Sequence, residues 1–351
     1  MKSIGTITFH KSNNYGAYLQ CFALQKTLND LGYASSIINY ETAADIERYK
    51  LISTKTPKKL IKSLIFYIPN KKRSKSFRKA QEQYTLSSKD KSFDVAITGS
   101  DQVWNPNLSG GTIDPYFTLN GINAKKKISY AASIGSEDSV AKFSDDFKEI
   151  TRSLDSISVR ETQAKRALSQ VTNRTIKVTI DPTALVKKDD WLKLINDIPK
   201  DNAKYIFSYF IGIRKDQAKA LSKICKKLNL KTLSFSQIPK EKHIYKYCYT
   251  EGPFKFLARL RDAKLVITSS FHGTILSIIF QKNFYVLMPD PKKRSRIDNI
   301  LKLTGLSNRI IETEMDIDKV NLKDIDYTEP QIKLDKLREE SLDWLKNAIE
   351  N

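Results

Sequence analysis

Short apolar runs recur along this chain, and nearly every one is followed by residues with helical spacing. Residues 4–9 read as a strand. Residues 17–31 follow as a helix that turns Leu19, Phe22, Ala23, Leu24, Leu28 and Leu31 inward and is closed by Gly32. Further strands are predicted at 35–40, 93–98, 128–132, 157–159 and 177–180, separated by helical stretches. Parallel strands require a long crossover, usually a helix, so this alternation predicts a parallel sheet covered by helices. A polar break carrying two prolines begins at Asp181-Pro182-Thr183 and runs through 187–199. The rhythm then restarts, with strands predicted at 205–211, 231–236, 265–268 and 284–288 and helices at 217–228, 254–263 and 273–280. An amphipathic helix over 332–349 closes the chain. With 351 residues the chain has room for two domains. The expected fold class is α/β, with two Rossmann-like domains facing a cleft. The N-terminal domain covers 1–186, the C-terminal domain 200–328, and a terminal helix 329–351.

Charge narrows the partners. Sixty Lys and Arg against 39 Asp and Glu give a formal charge of +21. The excess is concentrated. Between Glu47 and Glu82 stand twelve basic residues, from Arg48 to Lys79, and no acidic one. This segment, at about 48–81, reads as a basic insertion in the N-terminal domain. Within it, Leu60, Ile61, Leu64, Ile65 and Ile68 share one helical face. A basic helix with such a face suits an anionic membrane surface. The same pattern also fits a core helix in a well-solvated insertion. Nucleic acid is the weaker reading, because no RNP motif, zinc finger or helix-turn-helix pattern accompanies the charge.

In open α/β sheets ligands bind beyond the carboxyl ends of the strands, so the turns there hold the candidate residues. After the first strand come Asn14, Tyr15, Gly16 and Gln20, in a loop that opens a helix. After the strand at 93–98 comes Gly99-Ser100-Asp101-Gln102-Val103-Trp104-Asn105-Pro106. Ser100, Asp101, Gln102, Trp104 and Asn105 read either as ligand contacts or as an Asp cap beside a packed Trp. The strand at 157–159 leads into Arg160 and Glu161. An Arg there offers a planar fork to a carboxylate or phosphate, or a salt bridge to the neighbouring helix. The strand at 265–268 leads into Ser269, Ser270, Phe271, His272, Gly273 and Thr274. Hydroxyls, backbone N–H groups and one imidazole at a helix N-terminus make an anion pocket. His10 and His243 have weaker settings.

Other chemistries lack their residues. There is no P-loop, GxGxxG, GxSxG, HExxH or kinase set. Three Cys without a CxxC pair exclude a disulfide scaffold and a Cys-rich zinc module. Three His make a three-histidine metal site improbable. Asp316-Ile317-Asp318 and Asp324-Ile325-Asp326 have the DxD spacing of metal-dependent sugar transferases. Both lie outside the strand-end turns and read as a solvated connection, so no metal site is expected. The chain enters its first strand at once and no apolar run reaches the roughly 20 residues of a membrane span, so a cytoplasmic protein without a leader is expected.

Five motifs in order carry a resemblance. These are Asn14-Tyr15-Gly16-Ala17-Tyr18-Leu19-Gln20, the Gly99–Pro106 octapeptide, Ser158-Val159-Arg160-Glu161, Asp181-Pro182-Thr183 and Ser270-Phe271-His272-Gly273. Together the chain resembles the polysaccharide pyruvyl transferase family over roughly 4–288. The resemblance implies a GT-B-like fold and phosphoenolpyruvate as donor substrate, with no cofactor. It implies an enzyme that forms a pyruvate ketal on a sugar of a bacterial capsule, exopolysaccharide or cell-wall glycan. It also implies that Arg160 and His272 contact the donor. Arg160 is then expected to bind the donor's carboxylate or phosphate, and His272 to bind phosphate and act as general acid. Asp101 is expected to act as base toward the acceptor hydroxyl. The basic segment has no counterpart in the resemblance; it suggests a lipid-linked acceptor met at the inner membrane face. Two alternatives stand beside this reading: a GT-B glycosyltransferase using a nucleotide sugar, and a membrane-peripheral glycan-binding protein. The helix after Ser269 carries no acidic residue to hold a ribose, which weighs against the first.

Overall fold

The computed structural model describes residues 1–236, 244–290 and 294–351. It divides into two compact units, each built on one parallel sheet.

The first unit comprises Met1–Tyr67, Gln81–Val186 and Asp335–Asn351. Its strands are β1 (Ser3–Ile7), β2 (Ala34–Ile38), β3 (Leu86–Ser87), β4 (Phe93–Asp101), β5 (Ala124–Ala132), β6 (Ser156–Val159) and β7 (Ile176–Val178). They lie in the order β3-β2-β1-β4-β5-β6-β7, all parallel. The order reverses direction between β1 and β4, which makes their carboxyl ends the switch point where a ligand crevice opens. The helices before β4 are α1 (Tyr15–Asp30), α2 (Ala43–Arg48), α3 (Pro57–Ile65) and α4 (Tyr67–Gln81). After β5 come α5 (Glu137–Lys142), α6 (Ser144–Ser153) and α7 (Thr162–Leu168). Asn14 starts α1, its Oδ1 accepting from Gly16 N at 2.9 Å and Ala17 N at 3.2 Å. The core gathers Ile7, Phe93, Ala96, Trp104, Phe117, Phe147, Ile157 and Val159 between sheet and helices.

The second unit comprises Ile68–Ala80 and Lys187–Leu334. Its strands are β8 (Tyr205–Tyr209), β9 (Lys231–Ser234), β10 (Ile244–Tyr247), β11 (Leu265–Thr268), β12 (Phe284–Leu287) and β13 (Ile310–Ile311). Their order is β10-β9-β8-β11-β12-β13, again all parallel, with the reversal between β8 and β11. The helices are α8 (Lys188–Lys193), α9 (Lys215–Leu228), α10 (Pro253–Asp262), α11 (Phe271–Ile279), α12 (Ser295–Thr304) and α13 (Thr328–Glu350), which belongs to the first unit from Asp335 onward. Every described residue of β8, β11 and β12 is buried, as parallel strands covered on both faces require.

The α/β class expected from the sequence is the one observed, and the predicted strands and main helices fall within a few residues of their places. The short edge strands β3, β10 and β13 were not predicted. Edge strands this short carry too few residues to show a period. The basic segment is split, because Ile68–Ala80 packs within the second unit. There Arg73 donates to the Tyr249 carbonyl at 2.6 Å and lies 4.6 Å from the centre of the Tyr249 ring, and Ser76 Oγ donates to Thr250 O at 2.9 Å. The polar break beginning at Asp181 is ordered where it starts. Asp181 caps a buried turn at Pro182–Ala184, and its Oδ1 accepts from Thr183 N at 3.0 Å.

Candidate functional site

In the first unit the motif residues meet in one polar network. Gln20 lies one turn into α1 and is fully buried; its Nε2 donates to Thr8 Oγ1 at 3.0 Å and to Ala17 O at 2.9 Å. Thr8, just past β1, donates its hydroxyl to Ser100 O at 3.0 Å. Ser100 Oγ donates to Asp181 Oδ2 at 3.2 Å, and the same carboxylate oxygen accepts from Arg160 NH1 at 2.7 Å. Arg160 NH2 reaches Asp101 Oδ1 at 3.3 Å, and its Nε stands 3.8 Å from Glu161 Oε2. The other Glu161 oxygen accepts from Ser133 Oγ at 2.7 Å. The ends of five parallel strands, β1, β4, β5, β6 and β7, are thus tied together at the carboxyl edge of the sheet.

The Arg160 side chain is 1% exposed, Asp181 0%, Glu161 5% and Asp101 15%. Burial by itself would lower the Arg160 pKa, but Asp181, Asp101 and Glu161 outweigh it and raise it above its ordinary value. One guanidinium facing three carboxyl groups is not an open anion cradle. The donor contact expected of Arg160 therefore meets a fork already engaged by protein carboxylates. Asp101 is the charged group of the cluster that reaches the surface. Its backbone has φ of 70°, in the left-handed region, which a non-glycine residue adopts at a cost. Gly99 precedes it with φ of 114°, and a Cβ there would stand 2.3 Å from the Tyr130 carbonyl.

Several residues expected at the site are structural instead. Trp104 is completely buried and gives its indole N–H to Phe117 O at 3.1 Å, so the packed-Trp reading holds and no surface remains for a ligand. Tyr15 is also completely buried. Gly16 and Asn14 form the cap of α1, and Gln20 is committed to the network. Asn105 donates to Gln102 Oε1 at 2.8 Å and packs on Gly135, where a Cβ would lie 2.4 Å from the Asn105 side chain. Asp181 and Ser133 belong to the network but were not singled out for a role. Asp181 sat in what read as a linker, and Ser133 has no neighbouring motif; their chemistry exists only once β5, β6 and β7 are side by side.

A pocket opens at the end of β1, lined by Thr8, His10, Lys11, Tyr40, Glu41 and Asp45 among others. Lys11 and Glu41 pair across 2.8 Å. His10 is buried, which pushes its pKa below 6.5 despite hydrogen bonding to Thr8 O and Asn39.

In the second unit the predicted residues sit at the β8/β11 switch point. Thr268 ends β11, donates Oγ1 to Tyr209 O at 2.6 Å, and accepts the Ser270 N–H at 3.0 Å. That fixes the entry into α11. Ser269 is half-buried; Ser270, Phe271, His272, Gly273 and Thr274 are buried. Gly273 allows the helix to close on the strand, since a Cβ would stand 2.3 Å from Thr268 Oγ1. Thr274 Oγ1 is turned back onto Ser270 O at 3.0 Å. Ser270 occupies the N-cap yet makes no side-chain cap bond, and its buried Oγ has no hydrogen-bond partner among the described residues. No acidic residue stands in the first turn of this nine-residue helix. His272 lies in that turn, edge-on to Phe271 with ring centroids 5.2 Å apart. An uncommitted hydroxyl and an imidazole at a positive helix end can receive an anion.

His243 lies outside the described residues. Among those described, no group of three His, Cys, Asp or Glu side chains is placed to hold a metal ion. Asp316 of the DxD pair is engaged with Lys319 at 2.5 Å and with Thr313.

Fold and strand-end sites together define a two-unit α/β protein of the GT-B-like class. Solved structures of that class resemble it throughout. A Listeria monocytogenes protein assigned as UDP-N-acetylglucosamine 2-epimerase matches at 11% identity, covering 99% of this chain and 95% of that one, with a TM-score of 0.55. The Neisseria meningitidis UDP-GlcNAc 2-epimerase bound to UDP-GlcNAc matches at 10% identity, covering 97% and 94%, with a TM-score of 0.51. At such identity the likeness speaks of fold alone. No curated protein matches the chain. The sequence model of the polysaccharide pyruvyl transferase family matches residues 14–291, and the chain belongs to that family.

Proposed function

We propose that this protein transfers the enolpyruvyl carbons of phosphoenolpyruvate to a saccharide of a bacterial capsule, exopolysaccharide or cell-wall glycan, forming a pyruvate ketal. The observation that carries the reading is the family match over 14–291, which spans the five motifs from Asn14 to Gly273. The N-terminus of α11 supports it, because the uncapped Ser270 hydroxyl and His272 suit a phosphate.

The chemistry assigns the groups. A proton is added to the vinyl carbon, which becomes the methyl, and C2 gains oxocarbenium character. One sugar hydroxyl adds to C2, the C–O bond to phosphate breaks, and a second hydroxyl closes the ring. Two hydroxyl protons are released; one balances the methyl and the other leaves with inorganic phosphate. His272 binds the phosphate and serves as the acid, and Asp101 takes the proton of the incoming hydroxyl. Arg160 is a positioning residue that holds the Asp101 carboxylate in place. No cofactor or metal takes part in this scheme.

Titration calorimetry of the purified protein with phosphoenolpyruvate, beside its H272A variant and a panel of UDP-sugars, tests this. Saturable phosphoenolpyruvate binding that H272A loses is expected. Binding of a UDP-sugar without phosphoenolpyruvate would transfer the protein to the nucleotide-sugar reading.

A further inference from the structure

The first half of the basic segment left two readings open on sequence, a core helix or a membrane-facing one. The fold removes the first of these. Helix α3 begins on Thr56, whose Oγ1 accepts the Lys59 N–H at 3.2 Å, with Pro57 at its first position. It is nine residues long and buries none of them. Ser63 is its half-buried residue, accepting the Ser53 N–H at 3.2 Å and donating to Leu60 O at 2.8 Å. The helix therefore turns its Ser63 edge toward the protein.

At about 100° per residue, Leu60, Ile61, Leu64 and Ile65 share one arc, and Lys58, Lys59 and Lys62 occupy the rest. Ile61 and Ile65 fall opposite Ser63 and are 59% and 69% exposed; Leu64 is 55% exposed. A core helix buries its apolar stripe, whereas this one presents the stripe to solvent. Glu47 takes Lys50 at 2.6 Å and Lys55 at 3.9 Å. No carboxylate among the described residues pairs with Lys58, Lys59 or Lys62.

We propose that α3 is an in-plane anchor that docks this protein on an anionic phospholipid bilayer. Its apolar arc enters the boundary between headgroups and acyl chains, and its lysines meet the lipid phosphates. Charge complementarity selects this occupant: the first unit's part of the segment, residues 48–67, carries six basic residues and no acidic one, three of them on α3 itself, which matches a surface of negative sign. Duplex nucleic acid would be met by the lysines and would leave Ile61 and Ile65 in water. A second copy of the chain would set two such basic segments against each other.

Vesicle flotation at about 0.1 M salt tests the anchor, using the full chain with phosphatidylcholine vesicles that do or do not contain about one-third phosphatidylglycerol. Wild type should float with the anionic vesicles and stay behind with the neutral ones. L64E should lower the bound-to-free ratio at least about tenfold, and the triple variant K58Q/K59Q/K62Q about a hundredfold, at about fivefold per lysine. Both variants should keep the wild-type thermal unfolding midpoint, since α3 buries nothing. Wild type failing to float, or L64E floating as well as wild type, overturns the proposal. So does DNA binding or self-association that L64E abolishes in the absence of flotation.

Discussion

At the scale of single residues, His272 and Asp101 carry the proposed chemistry, and Arg160 holds the Asp101 carboxylate in place. H272A should lower turnover at least about a hundredfold if the imidazole transfers a proton, measured as phosphate release with a competent acceptor; near-full activity would remove that role. Asp101→Asn keeps the shape and should lower kcat by a similar factor without weakening phosphoenolpyruvate binding. Arg160→Met acts differently, because it strips buried Asp181 and Glu161 of their counter-charge. It should cost about 3–5 kcal/mol of stability in urea unfolding, the usual result of breaking one partner of a buried pair. His10 gives a pH signature. Its folded pKa lies below the unfolded value of about 6.5, so the unfolded chain binds a proton there that the folded one does not. Stability therefore falls as pH drops below about 6.5 and is regained above it. His10→Asn should flatten that slope between about pH 7.5 and 5.5; an unchanged profile would show that another group sets it. The buried thiols of Cys225 and Cys248 are pushed up to about 12 by desolvation, which keeps them as thiols at neutral pH.

At the scale of elements, the β11–α11 junction is the tightest device in the second unit. Gly273→Ala places a methyl against Thr268 Oγ1 and must push the helix N-terminus off the strand. Overpacking of this kind costs about 1–3 kcal/mol. Combining it with Thr268→Ala, which removes the opposing hydroxyl, should recover part of the loss. A simple sum of the two single effects would mean that the contact is relieved in some other way. The octapeptide after β4 teaches a related lesson. Its composition is unusual because one loop supplies a core Trp, a side-chain pair from Gln102 and Asn105, and the surface-reaching Asp101.

For the whole molecule, the ends of the chain matter more than their sequence suggests. Residues Asp335–Asn351 close the first unit. Arg338 Nε donates to Ala184 O at 2.7 Å, Ser341 Oγ accepts the Ile180 N–H at 3.1 Å, and Leu345 and Ile349 are buried. Deleting 335–351 removes Leu345 and Ile349 and uncovers the apolar surface they cover, a loss of about 1.5–3 kcal/mol for each side chain, and should leave the first unit unable to fold stably. A truncated chain that unfolds cooperatively at the wild-type midpoint would contradict this. No described helix is long and apolar enough to cross a membrane. The bilayer contact we propose rests instead on the apolar arc of α3, where Ile61, Leu64 and Ile65 are exposed.

Periodicity alone determined the α/β class, the two parallel sheets, and the turns where ligands would be met. Those follow from local rules: buried parallel strands read as apolar runs, helices show a 3.6-residue period, and glycines mark close approach. Tertiary structure decided which residues of each turn face a ligand. Trp104 and Asp101 are three positions apart, yet one is core and the other surface, because the loop folds back over Phe117. Asp181 and Ser133 joined Arg160 only when strands distant in sequence came side by side. The basic segment was uniform in composition, but α3 stayed outside while Ile68–Ala80 packed with Tyr249. A sequence gives each residue its chemistry, but burial and partners are properties of contacts between distant segments, and those are set by packing.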